Sequence, residues 1–160
     1  MPAVAAVMSA LHLLALAIGL PAVVLRARAL REASAVSTHA PSSTAALRRA
    51  FAADGAWGIA ALLWLLTGPA RAFGPMEKGT AFYVSSPLFA VKMALFLLIF
   101  ALEIAPMVGL IRWRMALRRG DSPNLGAAPL YATLSWIEAA IVVVIVFTAS
   151  FMARGFGLRG

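Results

Sequence analysis

Cysteine is absent from the 160-residue sequence. That excludes disulfides, iron–sulfur clusters, thiolate metal sites and covalently attached c-type haem. Charge is also scarce: 12% of residues are Asp, Glu, Lys or Arg, and only six of them are acidic. The two histidines are His12 and His39. Since His39 falls in a polar stretch, two histidines clamping one haem within the membrane part of a single chain are ruled out. The amino-terminal segment has no basic n-region, and its apolar run is longer than the core of a secretory signal, so it is expected to be a genuine membrane helix. No lipidation motif is visible.

What remains is apolar. Hydrophobic residues make up 62% of the chain, more than a soluble domain of this size readily hides, and they are gathered into long blocks. A bilayer solvates such blocks and water does not. Crossing the hydrocarbon core takes roughly 20 helical residues, and the sequence predicts four such spans, at about Ala3–Leu25, Phe51–Ala70, Pro87–Ile111 and Tyr131–Ala153. The expected fold is all-α: a polytopic membrane protein, an antiparallel four-transmembrane-helix bundle forming one membrane domain over residues 1–160.

The net charge of +8 would suggest nucleic acid in a soluble protein. Here the arginines flank apolar segments, so the lipid bilayer is the expected partner and nucleic acid is not. The first connection holds Arg26, Arg28, Arg31, Arg48 and Arg49, and the third holds Arg112, Arg114, Arg118 and Arg119. On the other side stand Arg71, Lys78, Arg154 and Arg159. Nine basic residues against four place the first and third connections in the cytoplasm and both termini outside a bacterial inner membrane.

Ionisable side chains within apolar spans are costly and usually face the bundle interior. They are His12, Asp54, Lys92, Glu103 and Glu138. With a rise of about 1.5 Å per residue, His12 and Lys92 lie at similar depths in the outer half, within roughly 6 Å. They are expected to line one site. Asp54, Glu103 and Glu138 fall toward the arginine-rich side, as a carboxyl cluster balanced by Arg112, Arg114 or Arg49 that either moves protons or fixes helix packing. Two neighbouring carboxylates in low dielectric do not both ionise cheaply, so Glu103 and Glu138 are expected to share a proton or meet a basic group. Structural readings stand beside these: Lys92 snorkelling to headgroups, His12 bonded to a backbone carbonyl, and Asp54 favoured by a helix N-terminus. Trp57 and Trp64, among Gly58, Ala61 and Gly68, make a face suited to helix packing or to a flat aromatic cofactor.

The blocks ALHLLALAIGL, RALRE, AADGAWGIAALLWLLTGPARAFG, EKGTAFYVSSPLFAVKMALFLLIFALEIAPMVGLIRWR and MARGFG closely resemble a bacterial family of predicted membrane proteins, the domain of unknown function 2214 family. Asp54, Trp57, Arg71, Glu77, Lys78, Glu103 and Arg154 sit in its most recognisable blocks. More distantly, the chain is similar to HemJ-type protoporphyrinogen oxidases and CopD-type copper-resistance membrane proteins. The HemJ-type likeness implies bound haem b and a functional pair at His12 and Lys92. Ser9 stands where those enzymes commonly carry a lysine, and LLALAIGLPAVVL replaces their aromatic pattern.

Two functional readings of different class follow, with a third beside them. One is a haem-b oxidoreductase or electron carrier, with His12 as iron ligand, Lys92 beside it, Trp57 and Trp64 as an aromatic wall, and Arg71 and Arg154 toward the propionates. The other is a transport protein for protons, metal or a small solute, with Lys92, Glu103 and Glu138 as proton groups. The third is an accessory or assembly subunit, as part of a homo-oligomer or a larger membrane complex.

Overall fold

The computed structural model describes residues 2–35, 41–74, 83 and 85–156; His39, Glu77, Lys78 and Arg159 lie outside them. Four helices follow in order: α1 (Pro2–Ala35), α2 (Pro41–Phe73), α3 (Pro87–Arg118) and α4 (Ala128–Ala153). All four are long and apolar enough to cross a membrane. The protein is an all-α, four-helix membrane bundle.

Local chemistry explains where the helices begin and end. A proline stands at the first or second position of α3 and of α4, where its missing N–H costs nothing and its fixed φ suits the first turn. α3 and α4 close on left-handed glycines, Gly120 (φ 83°) and Gly155 (φ 84°). After α3, Gly120 N–H donates to Leu117 O and Asp121 N–H to Ala116 O. After α4, Gly155 N–H donates to Met152 O and Phe156 N–H to Phe151 O. Both sets are the paired bonds of a Schellman stop. The Phe151 and Phe156 rings, 5.6 Å apart, supply its usual apolar contact.

At the arginine-rich end the helices run well past the expected spans: α1 continues to Ala35, α2 starts at Pro41, α3 reaches Arg118 and α4 starts at Ala128. Hydropathy marks where lipid ends, not where a helix does. In these extensions Ala29, Leu30, Ala33, Ala46, Leu47, Ala50 and Trp113 pack with Leu110 of the α3 span into one buried cluster. Arg28, Arg31, Arg48 and Arg49 stay exposed, so the extensions are amphipathic where the spans are apolar all round.

α1 packs along α2 and α4, and α4 along α3, whereas α2 and α3 barely approach each other. The α1–α2 contact is built on small residues. A β-carbon at Gly19 would come within 2.9 Å of both Ala60 Cβ and Trp64 Cη2, so only glycine permits this closeness. Large side chains such as Leu13, Leu66, Leu97, Ile104 and Phe147 are exposed, as expected of surfaces facing lipid.

Candidate functional site

Arg26 is the centre of the molecule's polar chemistry. It has no solvent exposure, and its guanidinium is engaged from the other three helices. Nε donates to Ser135 Oγ at 3.0 Å. Nη1 donates to Asp54 Oδ1 at 3.0 Å and Glu103 Oε1 at 2.7 Å. Nη2 donates to Glu103 Oε2 at 2.7 Å and Glu138 Oε2 at 2.6 Å. A guanidinium has five N–H groups, and all five are used. The pair with Glu103 is the bidentate fork that arginine forms and lysine does not.

Each acceptor is held in turn. The Ser135 hydroxyl donates to Tyr131 O at 2.9 Å, which leaves its lone pairs for Arg26. Trp57 Nε1 donates to Glu103 Oε2 at 3.0 Å. Arg114 lies over the Phe51 ring at 5.0 Å, donates to Phe51 O at 3.2 Å and approaches Asp54 Oδ2 at 3.6 Å. One atom is left over: Glu138 Oε1 is buried and has no hydrogen-bond partner.

The layer is sealed along the bundle axis. On one side is the alanine-rich cluster of the helix extensions. On the other, Ala22, Val23, Ile99, Ala139 and Val142 pack with Trp57. Sideways it is less closed: the Asp54 and Glu103 side chains are each 18% exposed, against 0% for Arg26 and Glu138. A cavity of about 30 Å³ sits in the thin seam between α2 and α3, lined by Trp57, Ala61 and Trp64 on one helix and Phe96, Ile99, Phe100 and Glu103 on the other.

The structure therefore brings together Asp54, Glu103 and Glu138, and Glu103 and Glu138 meet on the same nitrogen. The counter-ion differs from expectation. Arg26, counted above as a connection residue, is the principal one; Arg114 assists, Arg112 is exposed, and Arg49 pairs instead with Glu32 at 2.6 Å. The sequence carries a signal for this. Ala22, Val23, Arg26, Ala29, Leu30 and Ala33 are all buried and form one continuous stripe at helical spacing, from which Arg28 and Arg31 diverge. Ser135 and the Trp57 N–H carry no comparable signal.

At the opposite end, His12 Nδ1 lies 2.7 Å from Thr67 Oγ1, whose own proton goes to Leu63 O at 2.6 Å. The hydroxyl must therefore accept from His12, which places the proton of a neutral ring on Nδ1 and the lone pair on Nε2. The ring rests against Gly68, whose would-be β-carbon is 4.0 Å from His12 Cε1. Lys92 is half-buried on α3. Arg71 is half-buried in the last turn of α2, and Arg154 is exposed at the end of α4. Trp57 does not stand with His12. It belongs to the carboxylate layer, with Trp64 edge-on to it at 5.9 Å. Among the described residues, no group of three His, Asp or Glu side chains is arranged to hold a metal ion.

The family model for Predicted membrane protein (DUF2214) matches residues 4–157. The chain belongs to this family. Every residue of the charged layer lies within the matched span, so this member of the DUF2214 family holds its ionic centre within the shared domain and not on an appendage. No curated protein matches the chain, and no solved structure does.

Proposed function

We propose that this DUF2214 protein exchanges protons within a bacterial inner membrane, with the Arg26-centred layer as the loading site. One observation carries the reading: the buried, unpartnered Oε1 of Glu138. Asp54, Glu103 and Glu138 face two guanidiniums, those of Arg26 and Arg114. With every group ionised, one negative charge is unmatched. Unmatched charge is expensive away from water, so the layer takes up one proton to reach neutrality and must release it to become charged again.

The arginine count supports an orientation. With Arg26 assigned to the buried layer, Arg28, Arg31, Arg48, Arg49, Arg112, Arg114, Arg118 and Arg119 remain at one end, against Arg71, Lys78, Arg154 and Arg159 at the other. The richer end then faces the cytoplasm and both termini lie outside.

The test is proton flux in proteoliposomes. With a valinomycin potassium potential, negative inside, and a trapped pH dye, vesicles carrying the protein should acidify faster than protein-free vesicles. Equal rates end the proposal.

A second reading, haem b at His12, is favoured by the Thr67 contact, because a hydrogen bond at one ring nitrogen fixes the orientation of a ligating imidazole. The donor chemistry fits at that residue. Bound haem would supply one-electron chemistry, His12 would hold it, and Arg71 stands at the same end of the bundle. A preparation made with haem precursor should show a Soret band that His12→Ala removes and Trp57→Phe keeps. A colourless wild-type protein ends this reading.

A further inference from the structure

We propose that the groove between α1 and α4 at the arginine-rich end binds one anionic phospholipid, its phosphate on Arg28 and Arg31 and its chains along the two helices.

The groove carries positive charge without a counter-ion. Arg28 and Arg31 are exposed on α1, three residues apart and therefore neighbours on one face of the helix. Among the described residues, neither pairs with a carboxylate. Glu32, adjacent in sequence, is taken by Arg49 of α2 at 2.6 Å. Across the groove, α4 has no Asp, Glu, Lys or Arg from Ala128 to Ile137, and Glu138 is buried on Arg26. An incoming anion therefore meets two guanidiniums and no competing carboxylate.

One of the two is held in place. The Arg31 guanidinium lies over the Trp136 ring of α4, 5.9 Å from its centroid. The indole nitrogen is buried and has no acceptor, so the ring serves the groove through its face and not through its N–H. Arg26 and Arg114 also lie over aromatic rings, but each meets carboxylates as well. Arg31 is stacked in the same manner with its N–H edge unspent. A guanidinium fixed in this way suits the two-pronged bonding that a phosphate group accepts.

The walls select a lipid over a free phosphate. Val24 lies one turn from Arg28 and two from Arg31 along α1, and Ala140 and Val143 lie one and two turns beyond Trp136 along α4. By helical spacing each continues the face of the residue before it. Val24 is half-buried, and Ala140 and Val143 are exposed. Apolar surface thus leads from the charged mouth toward the membrane centre on both sides, where acyl chains follow it. Arg31 is five residues beyond Arg26, or roughly 7.5 Å nearer the end of the bundle, which sets its head at headgroup level and the buried layer beneath it. A phosphocholine head brings its own cation to the two arginines, so the site favours a headgroup of net negative charge.

The test is native mass spectrometry of the full-length protein in a neutral detergent, titrated with phosphatidylglycerol or with phosphatidylcholine of the same chains. One phosphatidylglycerol per chain should saturate, with phosphatidylcholine at least about fivefold weaker. Arg28→Gln and Arg31→Gln should each weaken phosphatidylglycerol about fivefold, the scale of one basic residue at an anionic headgroup. Trp136→Leu, which removes the platform, should weaken it too, whereas Trp136→Phe keeps an aromatic face and should retain it. Arg48→Gln, on α2 and outside this groove, should bind like wild type. Because the substituted arginines are exposed, melting in lipid-free detergent should not change. Added phosphatidylglycerol should raise the melting temperature of wild type and leave that of the Arg28→Gln, Arg31→Gln double variant unmoved.

Equal binding of phosphatidylcholine overturns the site, as does undiminished binding to the double variant. An equal loss in Arg48→Gln would show a diffuse basic surface and no groove site. Displacement of the lipid by inorganic phosphate at the same concentration would show a free-anion site and overturn the lipid.

Discussion

Replacing Arg26 by methionine should cost this protein more stability than any other single substitution of a described residue. The guanidinium spends five N–H groups on four side chains from three helices. Without it, Asp54, Glu103 and Glu138 face one another with only Arg114, which reaches Asp54 alone. Removing one partner of a buried ion pair costs on the order of 3–5 kcal/mol, and here three carboxyls lose their partner together. Arg26→Met should therefore yield aggregated or poorly folded protein, seen as loss of the monodisperse peak in detergent and a large drop in melting temperature.

Arg26→Lys should fall between. It keeps the charge, but a point ammonium with three donors cannot reproduce a planar fork bonded on both edges. The informative variant removes the whole layer: Arg26→Met with Asp54→Leu, Glu103→Met and Glu138→Met. Well-packed hydrophobic residues of similar volume often replace a buried charged network at little cost. This quadruple variant should recover much of the lost stability while losing proton flux. Wild-type melting behaviour in Arg26→Met alone would mean that the layer does not hold the bundle together.

The reason this residue was hard to read from the sequence is instructive. Hydropathy found the four spans because each carries an uninterrupted apolar block, and rise per residue brought Asp54, Glu103 and Glu138 to neighbouring depths. Both signals are local and one-dimensional. Arg26 follows directly on the apolar run ending at Leu25, where an arginine ordinarily marks the headgroup level, and two further arginines follow within five residues. Only rotation about the helix separates them: Arg26 shares the face of Val23 and Leu30, while Arg28 and Arg31 look outward.

The helix ends were missed for a related reason. Alanines at 29, 33, 46 and 50 are unremarkable in composition, and they become a core only when α1 and α2 lie side by side. At the other end the Thr67 hydroxyl carries no signal in the sequence, because a threonine in an apolar helix usually satisfies itself on the preceding turn. It does so here through Leu63 O, and in doing so turns its lone pairs to His12.

Glu138→Gln should leave the fold intact and bring proton flux down to the level of protein-free vesicles. The three carboxyls are not equivalent. Glu103 accepts from both terminal nitrogens of Arg26 and from the Trp57 indole. Asp54 has Arg26 on one oxygen and Arg114 near the other. Each of those two has positive or donor partners at both oxygens. Glu138 has a single bond through Oε2 to Arg26, and its Oε1 has no hydrogen-bond partner. Of the three it has the fewest partners, and so it is the one that the proton-exchange proposal loads.

Glutamine keeps the acceptor that Arg26 Nη2 requires and places an uncharged amide where Oε1 stood, so the packing in this fully buried position is nearly unchanged. It cannot take up or release a proton. Glu138→Asp retains a titrating group one methylene further from the guanidinium and should keep reduced flux. Because Glu138 has no exposure of its own, the proton-exchange proposal routes its proton through Glu103, which shares Arg26 Nη2 and reaches the α2–α3 seam. Glu103→Gln should accordingly slow flux even though Glu138 is intact. Full flux in Glu138→Gln, with melting unchanged from wild type, would move the loading site away from this carboxyl; a collapse of melting in the same variant would show that its oxygen serves Arg26 structurally and leave the proton to another group.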